Sequence, residues 1–417
     1  MLRKISLANF KGFSSVDIEL SKLNLFVGEN GTGKSTIIQA LSVLKRSLGS
    51  SGIVTDLPFI NLGPLYDIVP AAKTASISVE GNVPLDLRPI KSDSAEFKCA
   101  VKFDVQGLFE YEAQVSPRPD LVDIKVRNIW TRYGANIVEP RNWKFGDVTY
   151  NFGVTNRIGL VFDTIGYSSA QPLSPDEAKV ATDIYESLQN LSKAIMEGLN
   201  RIYVVPTIRG LTEPKYSLQP GATTDFSPRA GPIIMGTALA SNLAYYSYNE
   251  EKISAWQKQI LGTEVKHRLE PGPAISIRNP GNEVSYVNEG FGSNQMLFIL
   301  ERIANSPDDS LIAIEEPEIH LHPKAQFRFG LLASQIVKDE GKQLLITTHS
   351  EHIVSGVLTS IKNGKLEPRD VSIWFFEKKG LENTATHSEI DKEGKTFGGL
   401  KSFLEAAVEE LSEYVRI

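Results

Sequence analysis

Cysteine is almost absent from this chain: Cys99 is the only one in 417 residues. A single thiol excludes an intramolecular disulfide and a cysteine-based zinc site, and Cys99 reads as a small core side chain. Long apolar runs are missing as well. No stretch reaches the roughly 20 residues that cross a bilayer, so no membrane partner is expected. The opening Met1-Leu2-Arg3-Lys4-Ile5-Ser6-Leu7 enters an alternating strand pattern directly. It has no h-region or cleavage site, and a cytoplasmic location is expected. Long basic runs are lacking, and the formal net charge is -6. That balance argues against a surface given over wholly to nucleic acid but leaves room for a local basic groove. Sustained heptads are lacking between Ser35 and Gly290, which excludes a long coiled-coil arm. Internal repeats and low-complexity tracts are absent too. What remains is ordinary for globular proteins, 41% hydrophobic and 23% charged, with length for two or three domains.

The segment Gly28-Glu29-Asn30-Gly31-Thr32-Gly33-Lys34-Ser35 matches in full the phosphate-cradling pattern G-x-x-x-x-G-K-[ST]. Glycines let consecutive backbone N–H groups curl around a phosphate, a lysine reaches the β- and γ-oxygens, and a hydroxyl ligates Mg²⁺. Leu23–Val27 reads as a buried strand entering the loop. Residues 36–44 carry apolar side chains at helical spacing leaving it, and the helix N-terminus adds its positive end. Asn30, Gly31, Thr32, Gly33, Lys34, Ser35 and Thr36 are the candidate ATP-binding residues. Ser35 is a candidate Mg²⁺ ligand.

A second motif, Leu311-Ile312-Ala313-Ile314-Glu315-Glu316, is an apolar run ending in two acids. It describes a buried strand that delivers carboxylates to Mg²⁺ and to water at the sheet edge where ligands bind. Alone, a strand ending in a solvated acidic turn is an equal reading; beside a phosphate loop, the catalytic one prevails.

The remaining pattern divides as follows. Alternating runs at 75–79, 97–105, 108–115, 123–133 and 148–152 predict antiparallel strands. Residues 174–200 read as an amphipathic helix with a cap and a proline start. A strand is predicted at 201–205, helix over 234–261 and a strand pair over 263–288. Then α/β alternation returns: helix 294–304, strand 311–315, helix 323–339, strand 343–347, helix 350–359 and strand 371–377. A polar segment and a closing helix near 398–415 follow.

Asn9-Phe10-Lys11-Gly12-Phe13, the phosphate loop, Glu315-Glu316-Pro317-Glu318-Ile319-His320-Leu321-His322-Pro323 and Thr347-Thr348-His349-Ser350 together resemble the ABC-type ATPases of the RecF/OLD/SMC group. Residues 61–69 and 203–210 make the chain most similar to compact, hinge-less AAA-type ATPases related to OLD-family proteins. The resemblance implies an α/β fold: an ABC-type ATPase head whose central, mainly parallel sheet carries the phosphate loop, with an antiparallel β subdomain and a helical subdomain. The ATPase core is expected over 1–72 and 263–379, the β subdomain over 73–165, a helical or irregular insertion over 166–262, and a tail over 380–417.

The resemblance also implies roles. Glu316 would polarise the attacking water, Glu315 would hold Mg²⁺ through water, and His349 would sense the γ-phosphate. Leu321-His322 would touch an opposite subunit, and Lys11 and Phe13 would meet the ribose or base. Gly292, Ser293 and Asn294 open a helix ahead of the acidic strand and would bind the γ-phosphate held by a second protomer. The local sequence departs from the transporter-type Leu-Ser-Gly-Gly-Gln, and Glu315 and His322 stand where many relatives carry Asp.

The leading expectation is an ATPase switch that forms a homodimer or higher homo-oligomer through an ATP sandwich. It would act on a separate effector, a nuclease or toxin, in bacterial defence against phage. A RecF-like repair clamp that binds DNA directly is the alternative. A self-contained nuclease is disfavoured, because the acids after His349 (Glu377, Glu382, Glu389, Asp391, Glu393) are scattered over a polar stretch. His320, His322 and His352 read as loop contacts rather than metal ligands. A small-molecule kinase would use the phosphate loop but has no place for Glu315-Glu316-Pro317 or Thr348-His349-Ser350.

Overall fold

The computed structural model describes residues 1–47, 53–83, 95–106, 109–116, 124–130, 136–138, 141–145, 148–154, 165–168, 174–176, 179, 182, 196–219, 232–272 and 274–398. The chain forms two compact units. The first comprises Met1–Glu19, Gln39–Leu57 and Leu62–Asn200, and the second Leu20–Ile38, Pro58–Asn61 and Arg201–Ile417.

In the first unit, β1 (Leu2–Phe10) and β2 (Phe13–Glu19) form a hairpin. The sheet continues through β4 (Thr74–Val83), β5 (Ala95–Asp104), β6 (Phe109–Ser116), β7 (Ile124–Trp130) and β8 (Asn136–Val138), in the order β2-β1-β4-β5-β6-β7-β8. Each neighbouring pair is antiparallel. Period-2 alternation sets the register: Ile77 faces Val101 and Val79 faces Cys99, all buried. Phe10 packs edge-on to Phe103, with centroids 6.4 Å apart. Burial pushes the Cys99 thiol up to about 12. β9 (Arg141–Phe145), β10 (Val148–Val154) and β11 (Ile165–Ser168) make a separate three-stranded antiparallel sheet. A short helix, Leu65–Ile68, lies between β2 and β4 in the chain.

The second unit is built on a seven-stranded sheet. β12 (Ile202–Val205), β17 (Leu311–Glu315), β18 (Gln343–Thr348), β3 (Leu23–Gly28) and β19 (Val371–Lys379) run parallel in that spatial order. β20 (Glu382–Ile390) and β21 (Thr396–Phe397) extend it antiparallel. β3, β17 and β18 are buried at every residue, which is why their sequences are continuous apolar runs rather than alternations. β13 (Tyr216–Ser217), β14 (Lys266–Glu270), β15 (Ala274–Asn279) and β16 (Val284–Ser285) form a small second sheet.

Among the described residues this unit also holds the α-helices Pro232–Tyr245, Glu250–Leu261, Phe291–Asn305, Pro323–Asp339 and Glu351–Lys362. The last two start on caps that the sequence supplies. His322 accepts from the Lys324 N–H with Pro323 at the first position, and Ser350 accepts from the Ile353 N–H. These two helices approach closely at Gly330 and Gly356. A Cβ on Gly356 would sit 2.3 Å from the Phe327 carbonyl oxygen, and one on Gly330 would sit 2.3 Å from that of Ile353. Alanine gains about 1 kcal/mol of helix propensity over glycine, but the obstacle here is main chain. Gly356→Ala is therefore expected to destabilise by about 1–3 kcal/mol, read as a lowered thermal midpoint. A raised midpoint would show that the helices can part freely.

The parallel core, the β subdomain and the helix positions agree with the expected α/β fold. Three expectations need correcting or bounding. The β1–β2 hairpin groups with the β-rich unit rather than with the ATPase core, because β1 pairs with β4. Residues 201–262 group with the core rather than an insertion, because β12 extends the parallel sheet and α-helical residues below pack onto it. The expected polar segment after residue 377 holds β20, whose Thr384 and Thr386 are β-branched and whose main chain pairs with β19. The closing helix near 398–415 and most of the helix over 174–200 lie outside the described residues; residues 196–200 are helical.

Candidate functional site

All parallel strands of the second unit end at one edge, level with one another: Val205 pairs with Ile314, Glu315 with Thr347, and Thr348 with Val27. The segments leaving those ends are 206–211, 316–322, 349–350 and the loop after Gly28. In an open parallel sheet this is where ligands bind.

The loop closes around its own lysine. Gly28 has φ 147°, and a Cβ there would lie 2.1 Å from the Phe376 carbonyl oxygen, so only glycine fits. Gly31 has φ 76° with nothing within 4 Å of a Cβ position, leaving an open backbone cradle. Thr32 Oγ1 donates to the Glu29 carbonyl (2.8 Å). Lys34 Nζ donates to the carbonyls of Gly28 (2.9 Å) and Glu29 (2.7 Å). Burial lowers the Lys34 pKa to about 8, against the opposing pull of Glu316, Glu318 and Glu29. Thr36 lies in the first turn of the following helix, Lys34–Ser47, and donates its N–H to Gly33 (3.1 Å). Asn30 and Gly31 are exposed.

Two acids and a histidine face this loop. Burial raises the Glu315 pKa, and hydrogen bonds from Ser35 and Thr207 oppose that rise. The two residues expected at Mg²⁺, Ser35 and Glu315, are thus direct partners. Glu316 carries a left-handed backbone, φ 44°, a strain of about 1–3 kcal/mol of the kind held at working sites. Its N–H donates to the Thr347 carbonyl (3.0 Å). His349 Nε2 stands 3.7 Å from Glu316 Oε1 and is buried without a hydrogen-bond partner. Burial lowers the His349 pKa; Lys34 lowers it further and Glu316 opposes. The His349 N–H donates to Glu318 (2.5 Å), whose pKa is raised by burial. A bridge ties the last two loops together: Ser350 Oγ donates to Gln326 Oε1 (2.6 Å), and Gln326 Nε2 donates to the Leu321 carbonyl (2.8 Å).

The structure thus brings together Lys34, Ser35, Glu315, Glu316 and His349. Lys11 and Phe13 belong to the first unit. Lys11 Nζ donates to Gln39 (2.8 Å) and its pKa is lowered by burial. Phe13 is only 1% exposed; its ring is core, which corrects the expectation that it meets a ribose or base.

The helix Phe291–Asn305 begins with Phe291, which is 66% exposed and 5.4 Å centroid to centroid from the His320 ring. A Cβ on Gly292 would lie 2.6 Å from the His320 carbonyl, so this glycine permits helix and loop to approach. Ser293 is buried and its carbonyl accepts from Gln257 (2.9 Å). Asn294 is a correction. It is 3% exposed, its Oδ1 accepts from the Leu211 N–H (2.6 Å) and its Nδ2 donates to the Leu211 carbonyl (3.0 Å). The amide braces a neighbouring segment and is not free for a phosphate.

Sequence reasoning gave no role to Glu318, Gln326, Thr207 or Arg209. Glu318 and Arg209 had a legible signal: a charged residue just past the end of a buried parallel strand.

The donors fit Mg²⁺-ATP. Among the described residues a lysine ammonium donates to carbonyls alone, a hydroxyl–carboxylate pair sits beside it, the cradle at Gly31 is open, and a buried imidazole nitrogen lacks a partner. Among the described residues no cluster of three or more His, Cys, Asp or Glu could hold a metal by itself, and no helix is long and apolar enough to cross a membrane.

A search of curated proteins finds no match. Among solved structures, an SMC head domain from Thermotoga maritima is 15% identical, covering 93% of this chain and 99% of that one at a TM-score of 0.42. An SmcHead bound to the C-winged helix domain of ScpA is 14% identical, covering 93% and 97% at 0.47. An Smc head domain from Pyrococcus furiosus, with an extended coiled coil and bound to the C-terminal domain of ScpA, is 13% identical, covering 99% of each chain at 0.45. The family model described as the AAA ATPase domain matches residues 1–132 and 153–354, a span that holds Lys34, Glu315, Glu316 and His349 alike, and the chain belongs to that family.

Proposed function

We propose that this protein is an ATP-binding and ATP-hydrolysing switch that closes as a homodimer around ATP and controls a separate effector. The observation that carries the reading is the convergence of Lys34, the Ser35–Glu315 pair, Glu316 and His349 at one sheet edge. The Gly28–Ser35 amides and Lys34 bind the phosphates. Ser35 and Glu315 would hold Mg²⁺, which would supply neutralisation of phosphate charge. Glu316 accepts a proton from the attacking water, its carboxylate aimed by the φ 44° turn. His349, whose buried Nε2 lacks a partner, would sense the terminal phosphate.

The site is then completed by a second protomer, whose helix at Phe291 turns its N-terminal end to the phosphate; within that turn the Ser293 and Asn294 N–H groups donate to the Gly290 carbonyl (2.9 and 3.2 Å). The effector, by resemblance a nuclease or toxin of anti-phage defence, carries the destructive step. In this chain Asp391 is engaged in a turn, accepting from Glu393 N (2.9 Å) and Lys395 N (2.8 Å).

Phe291→Asp tests the sandwich. The exposed ring can be replaced without opening the core, so the variant should bind ATP normally and lose turnover. Mixed with Lys34→Ala protein, it should regain activity, up to about half that of the parent dimer, since one of two composite sites is then whole. Normal turnover by Phe291→Asp alone, or no recovery on mixing, would rule out the shared site.

A further inference from the structure

We infer that Arg209 is a positioning residue for the paired carboxylates: its guanidinium holds the main chain of Glu315 and Glu316 in the bent conformation that the hydrolytic step requires. The inference rests on the ATPase reading above and deepens it.

Arg209 is 5% exposed. Its Nη1 donates to the carbonyls of Pro206 (2.6 Å) and Glu315 (2.9 Å), and its Nη2 to that of Glu316 (3.1 Å). One planar fork therefore grips two consecutive carbonyls at the end of β17 and ties them to the end of β12. All three hydrogen bonds go to main-chain oxygens, while the charge itself faces the carboxylates of Glu318, Glu315 and Glu316 without a hydrogen bond to them. Burying a guanidinium is expensive, and here Nε also lacks a partner. A residue kept only for packing would be better apolar. What the fork supplies is geometry: Glu316 is a non-glycine residue at φ 44°, and such a turn persists only where its surroundings over-determine it. The fork fixes the carbonyl of that residue from one side, while Thr347 fixes its N–H from the other (3.0 Å).

The segment bearing Arg209 is itself anchored at both ends. β12 pairs in register with β17 before it, and two residues beyond it Leu211 is clamped on both main-chain atoms by Asn294. Thr207 adds a long contact to the Glu315 carboxylate (3.5 Å). Asn294 stands in the first turn of the helix that would meet the second protomer's nucleotide. The same short segment thus connects that helix to the carboxylates of its own protomer.

The test compares Arg209→Lys and Arg209→Gln with the parent protein, measuring ATP turnover and the affinity for a fluorescent ATP analogue. Lysine keeps the charge and glutamine keeps two N–H donors, but neither can span both carbonyls. A positioning role predicts that kcat falls by about 10- to 100-fold, the loss typical of groups that orient ligating residues, while KM and analogue affinity change less than about 3-fold. Added guanidinium ion should restore part of the turnover of Arg209→Gln, and methylammonium should not. Turnover unchanged in both variants would overturn the inference. So would turnover and affinity lost in parallel, or no guanidinium rescue, since the residue would then serve folding alone. Failure of the parent protein to hydrolyse ATP is a different result; it would remove the ATPase reading itself, and the inference with it.

Discussion

Glu316→Gln should bind ATP as the parent chain does and turn it over about 10²- to 10⁴-fold more slowly, the range associated with a positioned general base. The amide keeps the size and planar shape of the carboxylate but cannot accept a proton from water. Nothing in the fold depends on the lost charge: the residue is held through its main chain, by Thr347 and Arg209, and its carboxylate stands 3.7 Å from His349 without a hydrogen bond to it. In the proposed switch hydrolysis opens the sandwich, so ATP should shift this variant further toward dimer than it shifts the parent, as read by analytical ultracentrifugation. Phosphate release at the parental rate would move the proton acceptor to another group, Glu318 being the next carboxylate in reach of the same loop.

Lys34→Ala should abolish useful ATP binding. A hydrogen bond to a charged group contributes about 1.5–3 kcal/mol, so losing two of them to phosphate corresponds to a fall of about 10²- to 10⁴-fold in affinity. The unmodified protein offers a second view of the same residue through pH. Lys34 titrates near 8 without ligand, because burial disfavours its charged form. A bound phosphate favours the charged form and raises that value. Below about pH 8 the ammonium is already present and binding costs no proton. Above it, binding takes up a proton, and affinity should fall by up to about tenfold per pH unit. Titration calorimetry in buffers of different ionisation enthalpy would show that uptake above pH 8 and its disappearance at pH 7. Parental affinity in the alanine variant would show that the loop does not cradle phosphate.

The parts of this molecule that were legible in its sequence are those in which one local signal decides. The runs 23–27, 311–315 and 343–347 read as buried strands and are buried strands, and the glycine-lysine pattern lies, as expected, between the first of them and a helix. Phe13 and Asn294 were misjudged for one shared reason. Both sit beside recognisable motifs, and whether such a side chain points to ligand or to core is settled by segments far away in sequence: β4 and β5 for Phe13's sheet, and the 206–211 segment for Asn294. β20 was hidden because its strand identity comes from pairing with β19 rather than from an apolar face. Arg209 was readable as a charge next to a strand end. That its fork would span two carbonyls of another strand was not, since parallel neighbours are set by topology and not by sequence distance.

The burial of Cys99 has a practical side. Its strand lies between β4 and β6, its side chain is fully buried, and the thiol titrates only near 12, so it carries almost no thiolate at neutral pH and is shielded from maleimides and similar reagents. The natural chain is in effect a blank for thiol chemistry. One cysteine introduced at an exposed position, such as Leu381 at the β19–β20 turn, would take a single dye without first removing the native one. Donor- and acceptor-labelled batches could then be mixed, and energy transfer that appears on adding ATP would report the proposed dimer in real time.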